Sequence, residues 1–106
     1  MRAPDLTEFR GRTPVVVDDI VSSGVTMRRA LRILCEHGFA APYCLAVHAL
    51  CTRRTAQHIR DSSAGFLTSN SVPNVDAVFD VAPLIADALV DAAASGPGRR
   101  SEARAC

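Results

Sequence analysis

Apolar runs alternate along this chain with segments whose apolar residues recur every three or four positions. The run Pro14–Asp18 (PVVVD) is typical of a strand buried on both faces. Thr26–His37 has the i, i+3, i+4, i+7 spacing of an amphipathic helix, and Gly38 is expected to end that helix. The apolar stripe of this helix consists of Met27, Ala30, Leu31 and Leu34.

The same alternation continues through the middle of the chain. Pro42–Leu50 (PYCLAVHAL) predicts a second strand, and Gly65–Thr68 (GFLT) predicts a third. Between them, Thr52–Ser62 is polar and weakly helical, and Ser69–Asn74 is expected to be a loop.

A short extended piece, Ala77–Val81, leads into a last predicted helix with Pro83 in its first turn. Its apolar stripe consists of Ile85, Ala88, Leu89 and Ala92. We expect residues 1–93 to form one N-terminally truncated domain, and residues 94–106, rich in Gly, Pro and Arg, to be a disordered tail.

Strands that alternate with helices at this spacing predict parallel βαβ units. The expected fold is therefore an α/β three-layer sandwich with a mostly parallel sheet. Ligands of such sheets bind beyond the carboxyl ends of the strands. Three segments should meet at that edge, namely Asp18–Thr26, Cys51–Thr55 and Thr68–Asn74.

The amino-acid composition excludes several classes of protein and of mechanism. The chain is 48% hydrophobic with a formal net charge of +1, which excludes a disordered chain and gives no reason to expect nucleic acid as a partner. All 12 basic residues are arginine. The absence of lysine excludes a GK[ST] phosphate loop and any lysine nucleophile.

The apolar runs are too short for a membrane span, and acids interrupt the N-terminus where a signal peptide would be apolar. The four cysteines form no CxxC pair. A cytoplasmic protein with reduced thiols is therefore expected.

The most informative segment follows the first strand. Asp18 and Asp19 are expected at the sheet edge, and small and hydroxyl residues lead from there into a helix whose N–H groups favour an anion. The segment runs Asp18-Asp19-Ile20-Val21-Ser22-Ser23-Gly24-Val25-Thr26. A phosphate fits the hydroxyl loop and a polyol fits the acids, so a sugar phosphate satisfies both. The simpler alternative is that Ser23 or Thr26 caps the helix and the acids are solvated.

This motif resembles the phosphoribosyl-diphosphate loop of type I phosphoribosyltransferases and of ribose-phosphate pyrophosphokinases. Further segments resemble the C-terminal half of the pyrophosphokinases, so that the resemblance covers roughly residues 4 to 90. These segments are Arg10–Asp19, Cys44–Leu50, Ser69–Pro73 and Asp80–Leu89.

The resemblance implies a partial type I phosphoribosyltransferase-like fold and a site for ribose 5-phosphate or phosphoribosyl diphosphate. Asp18 and Asp19 would hold the ribose hydroxyls, with Mg²⁺ bridging to the substrate and no metal held by the protein alone. The 5-phosphate would be wrapped by Ser22, Ser23, Gly24, Val25 and Thr26. The implied reaction transfers a diphosphate from ATP to ribose 5-phosphate.

The chain departs from the family pattern in ways that bear on catalysis. Ser22 stands where many members have an acid, and Val25 replaces a small residue. The family's catalytic Lys-Arg loop and most of its ATP site would lie upstream of Met1, so no catalytic residue is assigned. Two alternatives stay open: a nucleobase phosphoribosyltransferase, and a non-catalytic module that binds ribose phosphate or assembles with other subunits.

Three other features are weaker candidates. His48 and Cys44 share a strand face but make at most half a metal site. Arg53 and Arg54 follow the second strand, either as exposed residues opening a helix or as contacts to an anionic ligand. Because the first strand is expected to lack one neighbour, its exposed edge predicts a homo-oligomer or a poorly soluble chain.

Overall fold

The computed structural model describes residues 3–96 and has a parallel sheet with helices in the connections. No helix in this part of the chain is long and apolar enough to cross a bilayer. After a 3₁₀ turn at Thr7–Phe9, the strands are β1 (Val15–Val21), β2 (Tyr43–Ala49), β3 (Gly65–Ser69) and β4 (Ala77–Phe79), and the helices are α1 (Val25–Glu36), α2 (Arg53–Asp61) and α3 (Ala82–Ser95).

The four strands lie in the order β1-β2-β3-β4, and every neighbouring pair is parallel. Val15 pairs with Tyr43 at the start of β1, and Tyr43 pairs with Gly65 on the other side. This topology confirms the predicted α/β class and parallel sheet. Within the described residues β1 is an edge strand, as the expectation of a missing neighbour requires.

The core lies between one face of the sheet and the helices α1 and α2. Met27 and Leu31 of α1 are buried there, as are Ala56 and Ile59 of α2. They join the buried strand residues Val21, Cys44, Ala46 and Phe66 in one cluster. Helix α1 connects β1 to β2, and α2 connects β2 to β3, so each crossover leads to the next strand on the same side of the sheet. Because such crossovers are right-handed, both helices pack on the same face.

The opposite sheet face is open to solvent. Val15, Val17, Tyr43 and Val47 are all exposed there, and Val17 retains 70% of its accessible surface. The expectation that the first strand is buried on both faces is therefore wrong for this face. Two layers of the predicted sandwich are formed by residues 3–96, and no residue of α3 is buried against the open face.

Helix α1 ends where its sequence predicts. Gly38 has φ +80°, and its N–H donates to the carbonyl of Cys35 (3.0 Å), while the N–H of Phe39 reaches back to Leu34 (3.1 Å). This pair of bonds is the Schellman arrangement that satisfies the last carbonyls of a helix. The turn directs the chain back towards the start of β2.

Asn70 and Asp80 fix the start of helix α3. The side-chain amide of Asn70 donates to Asp80 Oδ1 (3.0 Å), and its oxygen accepts from the N–H of Val81 (3.0 Å). Asp80 Oδ1 also accepts from the N–H of Ala82 (2.9 Å). The bond from Ala82, followed by the bond from Asn70, lowers the pKa of Asp80. The helix continues through Ser95, two residues into the predicted tail, and residues 97–106 lie outside the described part of the chain.

We predict that Ile59→Ala lowers the free energy of unfolding by about 2–5 kcal/mol, because Ile59 is 0% exposed and its loss leaves a cavity. Urea denaturation at one fixed protein concentration measures the change. The matched control is Val75→Ala, at a position 86% exposed, which should change stability by less than about 0.5 kcal/mol. Equal effects of the two substitutions would contradict this placement of the core.

Candidate functional site

The candidate site lies at the carboxyl end of β1, where the chain turns into α1. A small concavity of about 40 Å³ is found there, larger than a single water requires. Six of the seven predicted site residues line it: Asp18, Ser22, Ser23, Gly24, Val25 and Thr26. Asp19 is not among its lining residues. The structure thus gathers the hydroxyl loop and one of the two acids around one point.

The paired acids lie inside β1 rather than at its end. The strand was expected to stop at Asp18, but it continues to Val21, because Ile20 and Val21 are β-branched and still pair with His48 and Ala49 of β2. Asp18 is half-buried and accepts a bond from the N–H of Asp19 (2.9 Å). Asp19 is exposed and accepts from the N–H of Ile20 (2.8 Å).

Gly24 is required at its position for two reasons. Its φ of +77° lies in the left-handed region that residues with a side chain rarely adopt. A Cβ at Gly24 would also lie 2.6 Å from Thr55 Cγ2 and 3.6 Å from Ile59 Cδ1, both on α2. The loop therefore rests directly on α2, which holds it in place.

The N-terminus of α1 points into the concavity without a side-chain cap. Gly24 is the N-cap, and no side chain makes a capping hydrogen bond to this helix. Ser23 Oγ lies 3.4 Å from the N–H of Val25, a long contact, and the hydroxyls of Ser22 and Thr26 make no hydrogen bond to the residues described. Helix capping therefore does not account for these hydroxyls. They and the free N–H groups of the first turn are available to an anion.

A hydroxyl network ties the ends of β2 and β3 together at the same edge. The carbonyl of Val47 accepts from Ser69 Oγ (2.5 Å) and from Ser71 Oγ (3.0 Å). His48 Nδ1 lies 2.8 Å from Ser71 Oγ, so His48 is hydrogen-bonded to a member of this network. The sequence placed His48 on β2 but contained no signal for its partner, since Ser71 is 23 residues away.

A larger cavity of about 390 Å³ lies beside the candidate site, between the start of α2 and the β3–β4 connection. Arg53 lines it and, like Arg54, is an exposed residue in the first turn of α2, whose N-cap is Thr52. Arg60 and Asp76 also line this cavity and form an ion pair (2.5 Å). The reading of Arg53 and Arg54 as residues that open a helix is therefore confirmed.

Cys44 and His48 belong to no larger group of metal-ligating side chains in the part of the chain that the structure describes. No group of three or more His, Cys, Asp or Glu side chains that could hold a metal is found among residues 3–96. Burial raises the pKa of the Cys44 thiol to about 11, against a smaller opposing effect of a hydrogen bond with Ser63. Burial therefore favours the protonated form of the Cys44 thiol within the core.

Comparisons with known proteins agree with this arrangement. The family model described as "Phosphoribosyl transferase domain" matches residues 1–85. A ribose-phosphate pyrophosphokinase of Methanopyrus kandleri is 36% identical over 87 residues, covering 81% of this chain and 30% of the relative. The Sulfurisphaera tokodaii protein of the same name is 35% identical, covering 81% of this chain and 32% of the relative, and that of Methanosarcina acetivorans is 31% identical, covering 77% and 29%.

With a parallel sheet, this loop at its carboxyl edge and a match over most of its length, the chain belongs to the phosphoribosyl transferase domain family. The partial phosphoribosyltransferase-type fold that the sequence predicted is confirmed. The chain spans about a third of the length of the pyrophosphokinases to which it is similar.

We predict that Gly24→Ala destabilises the protein more than Gly38→Ala does. Both glycines have nearly the same positive φ, which costs alanine about 1–2 kcal/mol. Gly38 has open space around its Cβ position, whereas the Cβ at Gly24 meets Thr55 Cγ2 at 2.6 Å. Urea denaturation of the two variants measures the difference that this contact causes.

A second substitution tests the cause directly. Thr55→Ser removes the Cγ2 methyl group, so the double variant Gly24→Ala/Thr55→Ser should recover part of the stability that Gly24→Ala loses. Equal stabilities of Gly24→Ala and Gly38→Ala, or no recovery in the double variant, would show that the loop does not rest on α2 in this way.

Proposed function

We propose that this chain binds ribose 5-phosphate or phosphoribosyl diphosphate at the β1–α1 turn. The observation that carries the proposal is the convergence of Asp18 and the Ser22–Thr26 loop on one concavity at the N-terminus of α1. The chain's family and the names of its relatives support this choice over other sugar phosphates.

In this proposal the 5-phosphate occupies the concavity. The Ser22, Ser23 and Thr26 hydroxyls and the N–H groups that open α1 would donate to its oxygens, and the positive end of the helix dipole would favour its charge. The side chain of Val25 is 64% exposed and does not fill the core beneath the loop. Gly24 would keep these donors in place, because a residue without a side chain lets the loop lie close to Thr55 and Ile59 of α2.

The acids would bind the sugar. Asp18 lines the concavity and can accept hydrogen bonds from ribose hydroxyls, and the exposed Asp19 follows it at the same edge. Two carboxylates are too few to hold Mg²⁺ by themselves but suit an ion whose other ligands are substrate oxygens and water. When bound, Mg²⁺ would neutralise charge on the diphosphate, and Asp18 and Asp19 would position the ribose beneath it.

We propose further that the chain provides the ribose-phosphate-binding part of a ribose-phosphate pyrophosphokinase that works in nucleotide biosynthesis in the cytoplasm. The full reaction, from ATP and ribose 5-phosphate to AMP and phosphoribosyl diphosphate, needs groups beyond those of this chain. Lysine is absent from the sequence, and most of the ATP site would lie on other residues. The chain by itself is therefore proposed to bind without turnover, as a homo-oligomer.

We predict that ribose 5-phosphate binds in calorimetric titrations more tightly with Mg²⁺ than without it, and more tightly than ribose. Asp18→Asn should weaken binding about 10- to 100-fold, because a charge-assisted hydrogen bond contributes about 1.5–3 kcal/mol. The matched control is Asp87→Asn, an exposed carboxylate on α3 that should leave binding unchanged. A folded sample that binds neither ribose 5-phosphate nor inorganic phosphate would show that the site assignment is wrong.

We also predict that the chain, given ATP, ribose 5-phosphate and Mg²⁺, releases no AMP above the blank. The missing cationic groups would leave the transferred diphosphate without charge stabilisation. The Methanopyrus kandleri relative serves as a positive control in the same assay. If the chain releases AMP and Asp18→Asn abolishes that release, the proposal that the chain does not catalyse the reaction is wrong. The proposed binding site would still be supported by that result.

A further inference from the structure

The charges of helix α1 run against the helix dipole. Arg28 and Arg29, both exposed, are the fourth and fifth residues of the helix, and the exposed Arg32 follows one turn after Arg28. The first turn contains no acidic residue and the last turn no basic one, and the helix ends on Glu36. A helix favours negative groups near its N-terminus and positive groups near its C-terminus. A departure of this kind from a local preference is typical of functional sites.

Of these arginines, Arg28 lies beside the loop of the candidate site. Its N–H donates to the carbonyl of Gly24 (2.9 Å), so the two residues are one helical turn apart. Its Cδ lies 3.9 Å from the position that a Cβ at Gly24 would take. The stem of Arg28 therefore runs back towards the N-terminus of α1, which is the direction that helical side chains favour.

The guanidinium of Arg28 has no ion pair or side-chain hydrogen bond among the residues that the structure describes. The ion pair found there joins Arg60 to Asp76 instead. Four residues away on either side of Arg28 are Gly24 and Arg32, so its own face of the helix offers no carboxylate, and Arg32 repels it towards the loop. Because the side chain is exposed, its outer bonds can rotate freely.

The candidate site has an excess of negative charge once a phosphate is present. Asp18 lines the concavity, Asp19 follows it, and a phosphate monoester carries about −1.5 to −2 charges at neutral pH. The hydroxyls and N–H groups of the loop donate hydrogen bonds but carry no full charge, and none of the residues that line the concavity is basic. A cation that reaches the phosphate from beside the loop would offset part of this repulsion.

We propose that Arg28 supplies this cation, and that its guanidinium binds the phosphate of ribose 5-phosphate from the α2 side of the loop. The inference rests on the function proposed for the β1–α1 turn and adds to it a residue outside the Ser22–Thr26 loop. Arg28 does not line the concavity, so its guanidinium would turn across the loop when phosphate binds, while its stem stays beside Gly24. A guanidinium can donate two parallel N–H bonds to two phosphate oxygens, which a hydroxyl cannot do.

The test is calorimetric titration of the whole chain with two probes, ribose 5-phosphate and inorganic phosphate, at one fixed Mg²⁺ concentration. Arg28→Met keeps most of the stem but removes the charge. It should weaken binding of both probes about 5- to 20-fold, between the effect of an exposed ion pair and that of a charge-assisted hydrogen bond. Arg28→Lys keeps the charge without the planar group, so it should recover part of this loss. Equal affinities of Arg28→Met and the wild type would overturn the proposal.

Two control variants remove the same charge at neighbouring positions. Arg32→Met acts one turn further from the loop on the same side of α1, and Arg29→Met acts about 100° around the helix from Arg28. Each should change either affinity by less than about twofold at 0.15 M salt, where exposed charges about 8 Å apart or more are largely screened. Losses of equal size in all three variants would mean that the overall charge of α1 attracts the phosphate, and the assignment of Arg28 would be wrong.

Stability provides a second readout, which should change in the opposite direction. Arg28→Glu places an acid near the N-terminus of α1, where the dipole favours it, and gives it a favourable partner in Arg32. The urea midpoint should therefore rise or stay unchanged, while both probes bind more weakly than to Arg28→Met. If Arg28 instead supported the fold of the loop, Arg28→Glu would lower stability and affinity together, and that result would overturn the proposal.

Asp18→Asn separates this inference from the proposed function. Asp18 is proposed to contact the sugar, so Asp18→Asn should weaken ribose 5-phosphate but not inorganic phosphate, whereas Arg28→Met should weaken both. If Asp18→Asn weakens ribose 5-phosphate and Arg28→Met weakens neither probe, the binding site is supported and the role of Arg28 is refuted. A folded wild-type chain that binds neither probe would refute both.

Discussion

The close contact between Gly24 and helix α2 is the constraint on which the rest of the site depends. A Cβ at Gly24 would lie 2.6 Å from Thr55 Cγ2 and 3.6 Å from the core residue Ile59, so the loop after β1 can lie this near α2 only without a side chain there. With the loop held there, α1 begins at Val25 and directs its first N–H groups at the concavity. The same helix then contributes Met27 and Leu31 to the core, so packing and site geometry have one origin.

The sequence predicted the elements well because their patterns are local. The valine run, the stripe from Met27 to Leu34 and the glycine at position 38 each act within a few residues, and β1, α1 and its Schellman turn appear where they were expected. The site loop was predictable for the same reason, since Ser22–Thr26 is continuous in sequence. The strand end was misplaced at Asp18, because pairing of Ile20 and Val21 with β2 outweighs the poor strand propensity of two aspartates.

What sequence could not provide were contacts between distant residues. The bonds of His48 to Ser71 and of Arg60 to Asp76 join residues 23 and 16 positions apart. The spacing of apolar and polar residues, which predicts helices and strands, contains no information about such pairs. The exposure of the sheet face opposite α1 and α2 was also not predicted. An apolar run indicates that both faces of a strand prefer to be buried, but it does not show that residues of the same chain bury them. Val17 shows the difference, since it belongs to the run yet faces solvent.

Stability within the described residues is unevenly distributed. Strands β2 and β3 each pair on both sides and line the core, whereas β1 pairs on one side, β4 has three residues and α3 buries nothing. Amide hydrogen exchange in a single chain would therefore begin in α3 and β4 and reach β2 and β3 last. The acids of the candidate site lie on β1, between these extremes. The edge that carries the candidate site is thus one where the backbone can adjust locally without opening the centre of the sheet.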